Sequence, residues 1–168
     1  MTDAEFLQLI RDNKGILFKI SNSYCRNRDD REDLIQEIIY QLWKSAQRFD
    51  ANRKFSTWMY QIALNVAISF YRRRQRSGLR IASGGDLHLM ELADHPEDPD
   101  AEEKIGLLQR FIGEQNELDK ALMILYLEER SYREIAEILG ITETNVATKL
   151  SRIKGRLKQH FLKLLNNR

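Results

Sequence analysis

The stretch SYREIAEILGITETNVATKLSRIKGRLKQHF, residues 131–161, decides how this chain is read. Ser131 precedes an apolar-periodic run and Glu134 lies three residues on. That is the spacing of a capping box, in which hydroxyl and carboxylate each satisfy an amide donor at the helix start. Ile135, Ala136, Ile138 and Leu139 supply a packing face, and Gly140 ends the run with a residue that tolerates positive φ. Thr142 is a natural N-cap for a second helix, bracketed by Ile141 and Val146 as a hydrophobic staple. Two helices joined by so short a turn make a helix-turn-helix.

The second helix of the pair divides by face. Val146, Leu150, Ile153, Leu157, Phe161 and Leu164 form the apolar stripe. Opposite them stand Thr144, Asn145, Thr148, Ser151 and Arg152, side chains suited to base edges or phosphates in a DNA groove, with Gly155 permitting close approach. Lys149, Lys154, Arg156 and Lys158 flank that face and suit phosphate neutralisation. A solvated helical hairpin would share the periodicity; the acid-free basic face and the capped turn favour DNA binding.

Outward from this motif, the whole chain of 168 residues carries 27 Lys and Arg against 25 Asp and Glu. The near balance hides a pattern. Residues 72–80 hold Arg72, Arg73, Arg74, Arg76 and Arg80 and no acid, residues 81–104 are acidic, and residues 144–168 are basic without an acid. Clustered basic charge points to a polyanion partner. Residues 77–104, with Ser83-Gly84-Gly85 and His95-Pro96-Glu97-Asp98-Pro99, read as an acidic flexible linker. It separates residues 1–76 from residues 105–168, two modules each small enough to bury only about 60% of their unfolded surface. One cysteine, Cys25, precludes an internal disulfide and suits a reducing cytoplasm. The start of the chain lacks the pattern of a signal peptide, and no apolar run approaches a membrane span, so a cytoplasmic protein is expected.

Nearly every periodic stretch is helical and none signals a strand, so the expected fold is all-α. Residues 30–46 turn Leu34, Ile35, Ile38, Ile39, Leu42 and Ala46 to one face and Asp33, Glu37, Tyr40 and Lys44 to the other. Residues 55–76 form a longer helix with the stripe Phe55, Met59, Ile62, Ala63, Val66 and Phe70. On its other side Trp58, Asn65 and Arg72 recur every seven residues, with Gln61 and Arg76 beside them. An indole, amides and guanidiniums in one row suit unpaired nucleic acid, by stacking, edge reading and backbone contact. The alternative is that Trp58 caps a small core.

Asp33-Leu34-Ile35-Gln36-Glu37, then Phe55-Ser56-Thr57-Trp58-Met59-Tyr60-Gln61-Ile62-Ala63-Leu64-Asn65, then the helix-turn-helix, follow the order seen in sigma factors. The chain resembles the extracytoplasmic-function (ECF) group of RNA polymerase sigma factors. The resemblance implies two small helical domains, a region 2 bundle at 1–76 and a region 4 helix-turn-helix at 105–168. Its implied partners are core polymerase, through the β′ clamp helices and the β flap, promoter DNA, and an anti-sigma factor. It places Asp33, Gln36 and Glu37 at the clamp-helix contact, and Phe49 and Asn65 at the pocket for a flipped base of the −10 element. Trp58 falls in the strand-opening segment; Thr148, Ser151 and Arg152 fall at recognition positions for the −35 element. Ala147 departs from the pattern, standing where many members carry a basic residue.

Two other classes are weighed. A helix-turn-helix regulator that does not bind polymerase calls for a dimerisation face or a ligand domain, and residues 1–76 resemble neither. An enzyme calls for clustered chemistry, whereas Cys25, His88, His95 and His160 are scattered and no phosphate loop or nucleophile motif is present. No cofactor, metal or small-molecule substrate is expected.

Overall fold

The computed structural model describes residues 1–77 and 98–167, and these are helical, with no strand among them. The helices are α1 (Asp3–Asp12), α2 (Lys14–Tyr24), α3 (Arg28–Ser45), α4 (Phe55–Arg76), α5 (Pro99–Gly113), α6 (Glu117–Leu127), α7 (Tyr132–Leu139) and α8 (Glu143–Asn166), with one 3-10 turn at Ala46–Arg48. Most of the linker reading, including Arg80, His88 and His95, lies outside the described residues. Its expected end at residue 104 is too late. Asp98 caps Asp100 N, Pro99 takes the first helical position, and α5 is under way before Lys104.

Short-range chemistry sets the helix ends. Thr2 and Glu5 form a reciprocal capping box at α1, Asn27 caps α3, and Asn116 caps α6. Thr142 accepts from Asn145 N at 3.1 Å to start α8, and Gly140 takes φ 69° at the end of α7. The capping box expected at Ser131 is only half made. Ser131 accepts from Glu134 N at 3.1 Å, but the Glu134 carboxylate turns to Arg130 at 3.4 Å. A guanidinium offers that carboxylate a charged partner in place of a neutral amide.

The α6–α7 corner carries the one non-glycine residue with positive φ among the described residues, Glu129 at 58°. Glu129 N donates to Tyr126 O, and Arg130 N donates to Leu125 O at 3.2 Å. This is a Schellman ending with glutamate where glycine is usual. The left-handed conformation costs an L-residue about 1–2 kcal/mol. The corner aims Arg130 at α4.

The two sequence modules do not stand apart. One apolar cluster runs through both, from Leu34, Ile38 and Leu42 through Met59, Ala63 and Leu64 to Ile124, Ile135 and Val146. Helix α4 packs against α2 and α3 and also against α6 and α7. Polar contacts cross the same seam. Tyr24 Oη donates to Glu117 O at 2.6 Å, Arg72 Nε to Glu117 Oε1 at 2.8 Å, and Lys19 pairs with Glu128. Small modules with little core of their own gain burial by sharing one.

Lys120 of α6 sits in this seam, 1% exposed, its ammonium 5.2 Å from the Tyr24 ring centre and 5.7 Å from that of Tyr71. Burial pulls its pKa from 10.5 down to about 8. The folded protein therefore binds this proton less tightly than the unfolded chain. The penalty is full below pH 8 and is relieved as pH rises from about 8 toward 10.5. Lys120→Met carries no such penalty. In urea titrations the stability advantage of Lys120→Met over the parent should be constant near neutrality and shrink between about pH 8 and 10. A pH-independent difference would show that the ammonium is not desolvated in the fold.

Candidate functional site

Three surfaces carry the predicted side chains. On α3, Asp33 and Gln36 are exposed and Glu37 is half-buried. They line a groove of about 740 Å³ with Tyr40, Phe70, Arg73 and Arg74. Arg73 Nη2 donates to Glu37 Oε1 at 2.6 Å, and Arg74 Nη2 to Asp33 Oδ2 at 3.4 Å, with Asp30 at 3.7 Å. Exposed pairs of this kind contribute little to stability and exchange readily for a partner. Tyr40 and Trp43 stand 55% and 56% exposed on the same helix. Trp43 was missed by sequence reading, although it falls one heptad after Gln36 and so shares its row.

The α4 row does not form one open surface. Asn65 is exposed and lines a groove of about 330 Å³ with Glu37, Gln41, Ile62, Val66 and Ser69. Gln61 is half-buried and accepts from Arg53 Nη2 at 3.4 Å. Arg76 is exposed at the helix end. Arg72 is committed to Glu117, and that bond holds the Glu117 carboxyl below its usual range. Trp58 is a correction to the expected stacking platform. It is 7% exposed, with ring centres 5.0 Å from Phe49 and 5.3 Å from Phe55. A helical wheel for α4 alone places Trp58 outward; the turn 46–54 folds back over it and makes it core. Phe49 covers Trp58 and also borders a cleft of about 700 Å³ with Leu9, Ala46, Gln47 and Ala51.

On α8, Thr144, Asn145, Thr148, Ser151, Arg152 and Lys158 are exposed, and Val146, Leu150 and Ile153 are buried. Thr148 Oγ1 donates to Thr144 O at 2.9 Å, which leaves its oxygen outward as an acceptor. Lys149 is half-buried. Arg156 is tied back, donating to Gln115 Oε1 and Asp119 Oδ2 at 3.0 Å each. Lys154 lies 4.2 Å from the Tyr126 ring centre. Among the described residues no group of three or more His, Cys, Asp or Glu is placed to hold a metal. Burial pushes the Cys25 thiol up to about 12, which keeps it protonated and poorly nucleophilic. No described helix is long and apolar enough to cross a membrane.

The sigma-70 region 2 family matches residues 9–77, and the sigma-70 region 4 family matches residues 106–157. RNA polymerase sigma factor SigV of Bacillus subtilis is 28% identical over 155 residues, spanning 90% of this chain and 87% of that protein. ECF RNA polymerase sigma factor SigW of the same organism is 26% identical over 165 residues, spanning 93% and 88%. Among solved structures, sigma factor RpoE in complex with the anti-sigma factor NepR from Bartonella quintana aligns with a TM-score of 0.67 at 21% identity, covering 94% of each chain. CnrH in complex with the cytosolic domain of CnrY aligns with a TM-score of 0.65 at 18% identity, covering 99% of this chain and 90% of that one. The chain belongs to the sigma factors of RNA polymerase, in the ECF group. It is a transcription initiation factor, not a stand-alone helix-turn-helix regulator.

The row on α4 now separates by role. Trp58→Ala should cost about 3–5 kcal/mol of stability as a buried aromatic deletion, while Asn65→Ala stays within about 0.5 kcal/mol. Chemical denaturation of both variants measures this. A Trp58→Ala protein as stable as the parent would return the indole to the surface.

Proposed function

We propose that α3 and the end of α4 dock this chain on core polymerase, that α4 and the turn before it take the −10 element as unpaired DNA, and that α8 reads the −35 element. Residues 1–76 then act as region 2 and residues 105–168 as region 4. The observation that carries the reading is the coincidence of two sigma regions, in order, with an exposed polar face on each. Asp33, Gln36 and Glu37 meet the polymerase clamp helices, exchanging Arg73 and Arg74 for groups on the partner. The β flap takes region 4.

Asn65, Gln61, Arg72 and Arg76 offer amides and guanidiniums to an extruded base and its backbone. Phe49 forms part of the wall. Capture of a flipped base offsets an unstacking cost of a few kcal/mol. Trp58 acts by supporting Phe49 and the turn, not by stacking. On α8, Arg152 suits a bidentate contact with guanine, beside Thr144, Asn145, Thr148 and Ser151, while Lys149, Arg156 and Lys158 meet phosphates. Arg156 must first leave Asp119. The chain performs no catalysis in this scheme and works in the cytoplasm, where its polymerase is. An anti-sigma protein is a further partner, a reading supported by the solved neighbours.

Charge reversal tests the docking face. Asp33→Lys with Glu37→Lys places four cations around one groove, on a surface the core does not use. The double variant should keep its circular dichroism and lose retention by core polymerase by tenfold or more, about 1.4 kcal/mol. Undiminished retention would remove α3 from the interface.

A further inference from the structure

Gly155 stands in the middle of α8, and none of the roles given above uses it. The helix runs from Glu143 to Asn166, and glycine is a poor residue for a helix interior. Relative to alanine it lowers the folding equilibrium about fivefold. Gly140 has a reason in its φ of 69°, whereas Gly155 keeps an ordinary helical backbone. Packing gives no reason either. Gly155 is exposed, and among the described residues nothing beyond its own helical turn lies within 4 Å of the place a Cβ would take. Its position on the helix is telling. Gly155 falls one heptad after Thr148 and one turn after Ser151 and Arg152, on the midline of the exposed polar face and opposite buried Val146, Leu150 and Ile153. Arg156 and Lys158 stand to either side of it. The face therefore carries a bare stretch of backbone, one turn beyond the side chains suited to base edges and between two cations.

A gap that the chain itself leaves unfilled suits a surface that arrives from outside. Without a Cβ, a sugar–phosphate strand reaches α8 closer by one carbon–carbon bond, about 1.5 Å. Phosphate oxygens there meet Cα hydrogens, and the cations on each flank neutralise their charge. We propose that Gly155 is a positioning residue of the −35 interface: one strand of the duplex crosses α8 over its bare backbone, which sets how deep Thr148, Ser151 and Arg152 reach into the groove. The proposal rests on the reading of α8 as the −35 helix. Gly155 contacts no base and acts through its neighbours. Hydrogen bonds to base edges weaken steeply with displacement, whereas long cationic side chains follow a phosphate that moves. A side chain at position 155 therefore lifts the helix, weakens sequence-specific binding and spares binding to unrelated DNA. The same side chain improves the helix, so stability and recognition move in opposite directions.

The test uses the full chain and holoenzyme assembled from it with core polymerase. The probe is the duplex that parent holoenzyme enriches most from a fully randomised library, set against an unrelated duplex of equal length. Gly155→Ala and Gly155→Gln should each raise the thermal midpoint of the free chain. The alanine holoenzyme should bind the selected duplex about tenfold more weakly and the glutamine holoenzyme more weakly still, with affinity for the unrelated duplex unchanged. Gly106→Ala is the control. Gly106 lies inside α5, equally open to a Cβ, and its replacement should stabilise the chain and leave recognition as it is. Parent-like binding of the selected duplex by both Gly155 variants would overturn the proposal. So would an equal loss from Gly106→Ala, or a lowered thermal midpoint, which would give Gly155 a place in the fold. Arg152→Ala separates the two readings: if its holoenzyme binds the selected duplex as the parent does, the −35 reading of α8 falls instead.

Discussion

The burial of α4 on two sides is the constraint on which the rest depends. Its inner face closes the α2–α3 bundle, and its flank receives α6 and α7. Neither half of the chain has a disulfide, and neither has a large core alone. Sharing Met59, Ala63 and Leu64 with Ile124 and Ile135 in one cluster gives both halves a hydrophobic contact they lack separately. The same helix carries the amides and guanidiniums assigned to the −10 element. Stability in the free state and access to DNA therefore draw on one element. The seam is rich in polar pairs: Lys19, Arg53 and Arg72 of region 2 meet Glu128, Glu137 and Glu117 of region 4, and Arg130 of region 4 meets Ser56 of region 2. The exposed pairs among them are individually weak, so the shared apolar cluster carries most of the contact.

The parts of the fold legible in the sequence are those written in short-range chemistry. Gly140, Thr142 and Val146 specify the helix-turn-helix within a few residues, because positive φ, a hydroxyl cap and a staple are local demands. The faces of α3 and α8 follow from 3.6-residue periodicity, since each has one apolar side. The acids on α3 and the polar face of α8 stand where the periodicity puts them.

What was not legible depends on partners far along the chain. The burial of Trp58 is caused by Phe49 and the turn that carries it, which no wheel of α4 contains. Arg130 finds Thr57 and Ser56 at separations of 73 and 74 residues, and its pull on Glu134 undoes half of an otherwise local capping box. Glu129 in a left-handed conformation is hidden because glutamate does not announce such a turn as glycine does. Lys120 carries no local mark of burial, because the Tyr24 and Tyr71 rings that close over it come from far along the chain. Trp58 is covered from within its own region, while Arg130 and Lys120 belong to the seam between the regions, where sequence pattern is silent.

Initiation by polymerase carrying this protein is the direct expression of sigma activity. In vitro transcription on fragmented genomic DNA, with core polymerase and start sites mapped throughout, measures it directly. The expected result is a set of starts that appears only when the protein is added and that shares two upstream elements, near −35 and −10, at constant spacing. Starts unchanged by the protein, or new starts with no shared upstream sequence, would contradict it.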